Sequence, residues 1–368
     1  MTPAAALAHL RLARTEGVGS QTFRRLVARF GSPGAALEAL PHWGKGRLKA
    51  PEPGPVLDEL AGVERLGGRF IFLGTPEYPA LLAQEHDPPP ALAVLGDTSV
   101  LHKRGVAIVG ARNASAGARR MAEELAEALA RAGLVVVSGA ARGIDAAAHA
   151  GALRGGATVA AVAGGLDVPY PPEHASLQAR MAAEGGAVVA EAPLGTAPQA
   201  RHFPRRNRII AGLSLGVVVI EAAMQSGTLI TARLALEAGR ELYAVPGSPL
   251  DPRCRGSNDL IRQGAHLCET AEDVLEFLPE APRDLPLFTP GRLWPAAAET
   301  PPEVVLPAVG DSDEAAQVLE LIGASPVLVD EVMRRCHLSA SVVQATLLDL
   351  ELAGRVEMLP GNRVALAG

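Results

Sequence analysis

Val106-Ala107-Ile108-Val109, a helical stretch over 116–132, then Gly133 and Leu134-Val135-Val136-Val137 make the unit on which the fold turns. Neither apolar run alternates with polar residues, so each expects apolar neighbours on both faces, as strands of a covered parallel sheet do. Between them Met121, Leu125, Leu129 and Ala132 recur along one helical stripe, and Gly133 supplies the stop. Strand, helix and strand in this order form a parallel crossover unit.

The same rhythm extends outward over 66–280, with further strands expected at 69–73, 92–95, 158–162, 187–190, 215–220 and 242–245 and helices between most of them. The fold class is therefore α/β, a Rossmann-like doubly wound parallel sheet. In such sheets ligands bind beyond the carboxyl ends of the strands. Those positions hold Gly110-Ala111-Arg112-Asn113, Ser138-Gly139-Ala140-Ala141-Arg142-Gly143, Ala163-Gly164-Gly165 and Ser226-Gly227-Thr228. Glycine allows close backbone approach, and helix N-termini beyond such loops offer amides to anions.

One more segment leads to the same rim. Arg201-His202-Phe203-Pro204-Arg205-Arg206-Asn207-Arg208 sets four guanidiniums in eight residues just before Leu215-Gly216-Val217-Val218-Val219-Ile220. Guanidinium forks match phosphate oxygens and stack on flat rings, so the cluster suits a nucleic acid better than a lone ion. A solvated helix face is the plainer alternative. The net charge of −6 hides an uneven distribution: residues 268–368 hold 17 acidic and 6 basic side chains, which leaves the first 267 mildly basic.

Other chemistry is disfavoured. Gly110 and Gly117 do not form a dinucleotide fingerprint, and no phosphate-binding loop with a lysine occurs, so no nucleotide cofactor is expected. Asp145 and His149 lie four apart on a helix, where a capping acid and a packed histidine explain them. Asp167, Glu173 and His174 follow the strand at 158–162 in a proline-stiffened loop. Glu221, at the end of its strand, is the best single candidate for a functional acid, or else a partner for a crevice arginine. The three cysteines, Cys254, Cys268 and Cys336, are far apart in sequence, so no metal site is expected. No run reaches the roughly 18 apolar residues of a membrane span, and a cytoplasmic address is expected.

The flanks read differently. Residues 1–65 are helical, with Gly17-Val18-Gly19 between two helices and Ser20 as N-cap; such a turn serves either phosphate binding or plain hairpin packing. Residues 281–311 are proline-rich and read as a semi-stiff linker. Within 312–368, helices at 314–322, 328–336 and 341–353 precede two short strands, a pattern similar to a winged helix. That segment carries 8 acids against 4 arginines, which favours a protein contact or self-association over groove binding.

Long ordered segments carry a resemblance beyond spacing: Val106-Ala107-Ile108-Val109-Gly110-Ala111-Arg112, 138–145, Phe203-Pro204-Arg205-Arg206-Asn207-Arg208 continuing to Ser214, 226–232, Ala244-Val245-Pro246-Gly247 and 256–261. Over residues 66–270 they resemble the DprA or Smf family of bacterial DNA-processing proteins. Ala111 departs from the family's usual serine or threonine, which removes a hydroxyl and leaves Arg112.

The resemblance implies an extended Rossmann-like domain between an N-terminal helix-hairpin-helix or SAM-like domain and a C-terminal winged helix. It also implies a non-enzymatic protein without cofactor, which protects incoming single-stranded DNA and loads RecA recombinase onto it during natural transformation. Single-stranded DNA-binding protein is a further implied partner. The DNA site is expected at Gly110, Arg112, Ser138, Gly139, Arg142, Phe203, Arg205, Arg206, Asn207, Arg208, Ser226, Gly227 and Thr228, and a homodimer contact at Asn258, Leu260, Ile261 and Leu267. The alternative is a phosphoribohydrolase-like enzyme of similar core. That family's pattern places an acid three residues after the helix-opening threonine, where this chain has Thr231 after Thr228.

Overall fold

The computed structural model describes residues 1–42, 48–280, 313–322, 326–336, 338–352, 355–359 and 362–366. The expected linker, 281–311, lies outside the described residues. Contacts sort the chain into two compact units: Met1–Val56 with the described C-terminal residues, and the remainder from Leu57.

At the N-terminus α1 (Pro3–Ala13), α2 (Ser20–Phe30) and α3 (Pro33–Ala39) pack around Leu12, Val18, Phe23, Leu26, Val27 and Leu40. Ser32 caps α3 by accepting the amide of Ala35 at 3.2 Å. The expected capping role of Ser20 is not observed: Gly19 occupies the N-cap, and Ser20 is buried as the first helical residue with its hydroxyl unpartnered. Bonding from the preceding glycine's extended backbone displaces the cap by one residue.

The central unit opens with α4 (Pro53–Arg65), whose Val63 packs on the sheet with Ala93, Val188 and Ala190. The strands are β1 (Arg69–Phe72), β2 (Ala91–Gly96), β3 (Gly105–Gly110), β4 (Val135–Ser138), β5 (Thr158–Val162), β6 (Ala187–Ala190), β7 (Gly216–Ile220), β8 (Glu241–Ala244) and β9 (His266–Leu267). Their order is β1-β2-β6-β5-β4-β3-β7-β8-β9. From β6 to β9 the neighbours run parallel, whereas β1 and β2 pair antiparallel, as do β2 and β6. The doubly wound parallel sheet read from the sequence thus carries an antiparallel edge at β1 and β2. β1 lies at the sheet's edge with Arg69 exposed and Ile71 and Phe72 buried on opposite faces, and four residues of this kind do not encode the direction of pairing. The two-residue β9 went unread because so short a run has no period.

Strand residues divide by parity. Ala107, Val109, Val137, Val217 and Val219 face the helices α9 (His202–Gly212), α10 (Gly227–Glu237) and α11 (Arg255–Arg262). Val106, Ile108, Val136, Val218 and Ile220 face α6 (Ala116–Arg131), α7 (Ile144–Gly155) and α12 (Ala271–Phe277), while α5 (Ala80–Ala83) adds Leu82 to the first face and α8 (Ala175–Ala183) packs Met181 with Ala160, Val188 and Ala190. Each fully buried aliphatic side chain contributes about 1.5–3 kcal/mol relative to exposure, so the two faces hold the strand ends rigidly.

In the C-terminal segment α13 (Asp313–Glu320), α14 (Val329–Arg335) and α15 (Ala340–Leu352) pack with a three-stranded antiparallel sheet. Its strands β10 (Val327–Leu328), β12 (Arg363–Leu366) and β11 (Val356–Leu359) lie in that order over Val318, Val332, Leu347 and Val364. This is a winged-helix arrangement. Among the described residues no helix is long and apolar enough to cross a membrane.

Candidate nucleic-acid interface

β3 pairs with β4 on one side and β7 on the other, so the connections leave for opposite faces and a crevice opens between them. A cavity of about 250 Å³ lies there, lined by Gly110, Ala111, Arg112, Ala141, Asp145, Phe203, Pro204, Arg206, Asn207, Ser226, Gly227 and Thr228. Loops after β3, β4 and β7, the first turns of α7 and α10 and the N-terminal half of α9 supply these residues.

Gly110 is forced by packing. A Cβ there would sit 2.0 Å from the carbonyl oxygen of Ile220 and 2.6 Å from Ile144 Cγ1. Its own carbonyl accepts the Thr228 hydroxyl at 3.1 Å, which ties β3 to the start of α10. Ser226 occupies the N-cap of α10 with no side-chain cap bond, and its Oγ is buried without a hydrogen-bond partner. The amides of Gly227 and Thr228 have no helical acceptor, while that of Leu229 donates to Ser226 O, so the first turn of α10 offers free amide donors to the crevice.

On the opposite wall Phe203 sits half-buried at the start of α9. The Arg112 guanidinium lies over its ring, 4.7 Å from the centroid, and the Tyr170 ring meets it edge-on at 5.8 Å. Arg112 is exposed and half-exposed Tyr170 borders it, so the wall is a charged and aromatic surface open to solvent.

The arginine cluster separates by environment. Arg206 is buried, and its Nη1 donates to the carbonyls of Gly139 and Ala161, bridging the ends of β4 and β5. Burial lowers its pKa to about 10, against the nearby Asp145 carboxylate, while burial raises Asp145 itself. Asp145 also accepts the Ala141 amide at 3.3 Å. Arg208 is turned away from the crevice to Asp87 at 3.1 Å and Glu191 at 2.8 Å. Arg205 is exposed and also reaches Glu191 at 2.8 Å, and exposed Arg142 pairs with Glu173. Asn207 is buried, its Nδ2 3.4 Å from the Gly227 carbonyl. Ser138 is buried and donates to Ile108 O at 2.6 Å.

Of the sequence-predicted positions, Gly110, Arg112, Phe203, Arg206, Asn207, Ser226, Gly227 and Thr228 line one cavity. Ser138 and Gly139 lie beneath it, Arg142 and Arg205 flank it in sequence, and Arg208 lies behind it. Glu191 and Asp87 were missed, although Glu191 directly follows β6 and inspection of residues after strands applies to it as well. Glu221 adopts a φ of 49° at the end of β7, and its carboxylate accepts the amide at 2.9 Å and the hydroxyl at 2.6 Å of Ser115, the N-cap of α6. Ligand atoms of Glu221, Asp251 and Cys254 lie within 4.8 Å of one another, with Asp251 engaged by Arg253 at 2.6 Å. Asp167 accepts the Gly195 amide at 2.8 Å, a loop-capping contact.

At the expected dimer segment, Asn258 exchanges hydrogen bonds with the Gly247 backbone at 3.0 and 2.8 Å, and Leu260 is buried in the sheet's core. Ile261 packs partly against that core, and Leu267 on the edge strand β9 is 48% exposed.

Comparison with known proteins agrees with this architecture. The family model of DNA recombination-mediator protein A matches residues 69–279, with models of a DprA-like N-terminal HHH domain at 3–61 and a DprA winged helix domain at 295–362. Protein Smf of Escherichia coli is 40% identical over 83% of this chain and 80% of its own length. The DNA processing protein DprA of Bacillus subtilis is 44% identical over 60% of this chain and 75% of its own. The crystal structure of DprA from Streptococcus pneumoniae superposes with a TM-score of 0.64 at 32% identity, covering 74% of this chain and 98% of that one. DprA from Helicobacter pylori, described for its single-stranded DNA binding mode, gives 0.52 at 29% identity over 57% and 95%. The chain belongs to the DNA recombination-mediator protein A family, a family of DNA-processing proteins.

Proposed function

We propose that the chain binds single-stranded DNA in the crevice between the β3 and β7 loops and loads a RecA recombinase onto it, protecting DNA taken up during natural transformation. The observation that carries the reading is the meeting of Arg112 over Phe203 with the amide-bearing N-terminus of α10 across one cavity. Cation and amides attract phosphate oxygens, and Tyr170 and Phe203 offer ring surface to bases. The Helicobacter pylori relative, whose described subject is single-stranded DNA binding, supports the same ligand.

Within that reading the roles differ. Arg112, Arg142 and Arg205 are the exposed cations for phosphates, with Ser226, Gly227 and Thr228 as donors. Arg206, Asn207 and Arg208 hold α9 in place, and Ser138, Gly139 and Gly110 shape the strand ends. Binding proceeds without catalysis: Thr231 stands where the phosphoribohydrolase pattern has its acid, and release of base from nucleoside monophosphates is expected to be nil. Single-stranded DNA-binding protein is a further partner. A homodimer through the 258–267 segment is carried by the exposed Leu267 of β9, since Leu260 packs internally. Residues 1–65, 66–280, 281–311 and 312–368 serve as the working domains.

The test is fluorescence anisotropy on a labelled oligonucleotide across a salt series. Arg112→Ala and Arg205→Ala are expected to weaken binding and flatten the salt dependence, by about 0.7 in slope per lost phosphate contact. Unchanged affinity and slope in both would remove the assignment.

A further inference from the structure

Two of the exposed arginines beside the crevice are already held by carboxylates of their own chain. Arg142 follows the lining residue Ala141, and its Nε donates to Glu173 Oε1; the two side chains are 62% and 48% exposed. Arg205 follows the lining residue Pro204 and donates to Glu191 Oε1 at 2.8 Å. That same oxygen accepts Arg208 Nη2 at 2.8 Å, and Arg208 has a second carboxylate in Asp87. Parallel strands put all these groups at one end of the sheet, because Arg142, Glu173 and Glu191 follow β4, β5 and β6.

Resting on the reading of the crevice as a single-stranded DNA site, we propose that Glu173 and Glu191 are specificity-determining residues: they latch Arg142 and Arg205, so that only a polyanion releases both. The carboxylates occupy the positions that phosphate oxygens of a strand would take. A lone anion entering the cavity meets Arg112 and the amides of α10 and gains little from two cations already neutralised. A strand held at that central point presents further phosphates to the rim at high effective concentration, and each one exchanges with a glutamate. The rim thereby stays closed to lone anions and opens to an anchored strand, which spends part of its affinity on each exchange. The two latches differ in stiffness. Glu173 is half-exposed and freely displaced, whereas the Glu191 side chain is only 13% exposed and stays on Arg208 when Arg205 leaves.

The experiment uses the full chain with Glu173→Gln, Glu191→Gln and the double variant, reading anisotropy for a labelled oligonucleotide and competition by thymidine monophosphate over a salt series. Each substitution is expected to tighten oligonucleotide binding by between about 1.5-fold and fivefold, the range of one exposed ion pair, and to steepen the salt slope by up to about 0.7. Monophosphate affinity, set by the central cavity rather than the rim, is expected to stay unchanged, so the ratio of oligonucleotide to monophosphate affinity rises. Weaker or unchanged oligonucleotide binding in Glu173→Gln, whose exposed site tolerates the exchange, overturns the proposal. So does an unchanged ratio in a folded Glu191→Gln. An Arg112→Ala control separates the two layers: if it weakens binding while the glutamine variants change nothing, the latch fails and the crevice stands; if it too changes nothing, the site itself fails.

Discussion

The guanidinium of Arg112 rests on the ring of Phe203, 4.7 Å from its centroid, across the backbone distance between β3 and α9. The stack presets the arginine toward the cavity and covers one face of the ring. The two residues are therefore coupled. Arg112→Ala is expected to weaken oligonucleotide binding about tenfold, and Phe203→Ala by a similar amount because Arg112 loses its rest. The double variant is expected to lose less than the sum, with a coupling of about 0.5–1 kcal/mol in an anisotropy double-mutant cycle. Strict additivity would mean that the stack has no part in binding.

Ser226 offers a separation of binding from stability. Its Oγ has no hydrogen-bond partner, so Ser226→Ala breaks no internal bond, and urea unfolding is expected to move by less than about 0.5 kcal/mol. Affinity for single-stranded DNA is expected to fall threefold to tenfold as one donor at the α10 end disappears. A large loss of stability with intact binding would reverse the assignment of this hydroxyl.

Gly110 tests the strand ends. The Cβ of Gly110→Ala would meet the Ile220 carbonyl at 2.0 Å and Ile144 Cγ1 at 2.6 Å. Separation of β3 from β7 is expected to cost at least about 3 kcal/mol, read as a lowered thermal midpoint in circular dichroism. Thr228→Val, which removes the hydroxyl bond to the Gly110 carbonyl, is expected to cost only about 1 kcal/mol.

His149 sets an acid limit. Its Nδ1–H donates to Thr158 Oγ1 at 2.7 Å, because that hydroxyl donates in turn to Val136 O, and its Nε2 lies buried without a partner. Burial lowers its pKa from 6.5 to about 3, with Arg206 adding to the effect. Below 6.5 the unfolded chain takes up a proton that the folded chain refuses, so stability falls as the pH drops toward 3. The slope from this group is about 1.4 kcal/mol per pH unit. Denaturant midpoints of the native chain and His149→Gln, compared at pH 6.5 and 4.5, are expected to diverge by that slope, and parallel curves would show that the histidine titrates normally.

Much of the fold was legible because its signals are local. Eight apolar runs read from the sequence coincide with β1 to β8 within a residue or two, and the three C-terminal helices are found where their periodicity puts them. Pairing direction at the β1 edge and the two-residue β9 were not legible, since neither is written in a period. At the site, Gly110, Arg112, Phe203 and Ser226, named from residue type and place after a strand, line one cavity. What four neighbouring arginines could not disclose was their division of labour. Arg205, Arg206 and Arg208 occupy one turn of α9, yet a helix points successive residues in different directions, and partners such as Asp87 come from over a hundred positions away. Glu221, singled out as an acid, accepts from the amide and hydroxyl of Ser115, the N-cap of α6, a partner that belongs to another loop.

The bridge from Arg206 to the carbonyls of Gly139 and Ala161 limits how portable this crevice is. A single nitrogen of a buried guanidinium serves two strand termini at once, so a shorter or neutral side chain at that position would leave both carbonyls orphaned. Grafting the α9 segment onto another scaffold would likewise transplant a plug without its socket. Anyone redesigning ligand preference here must vary the residues around that plug and leave it in place.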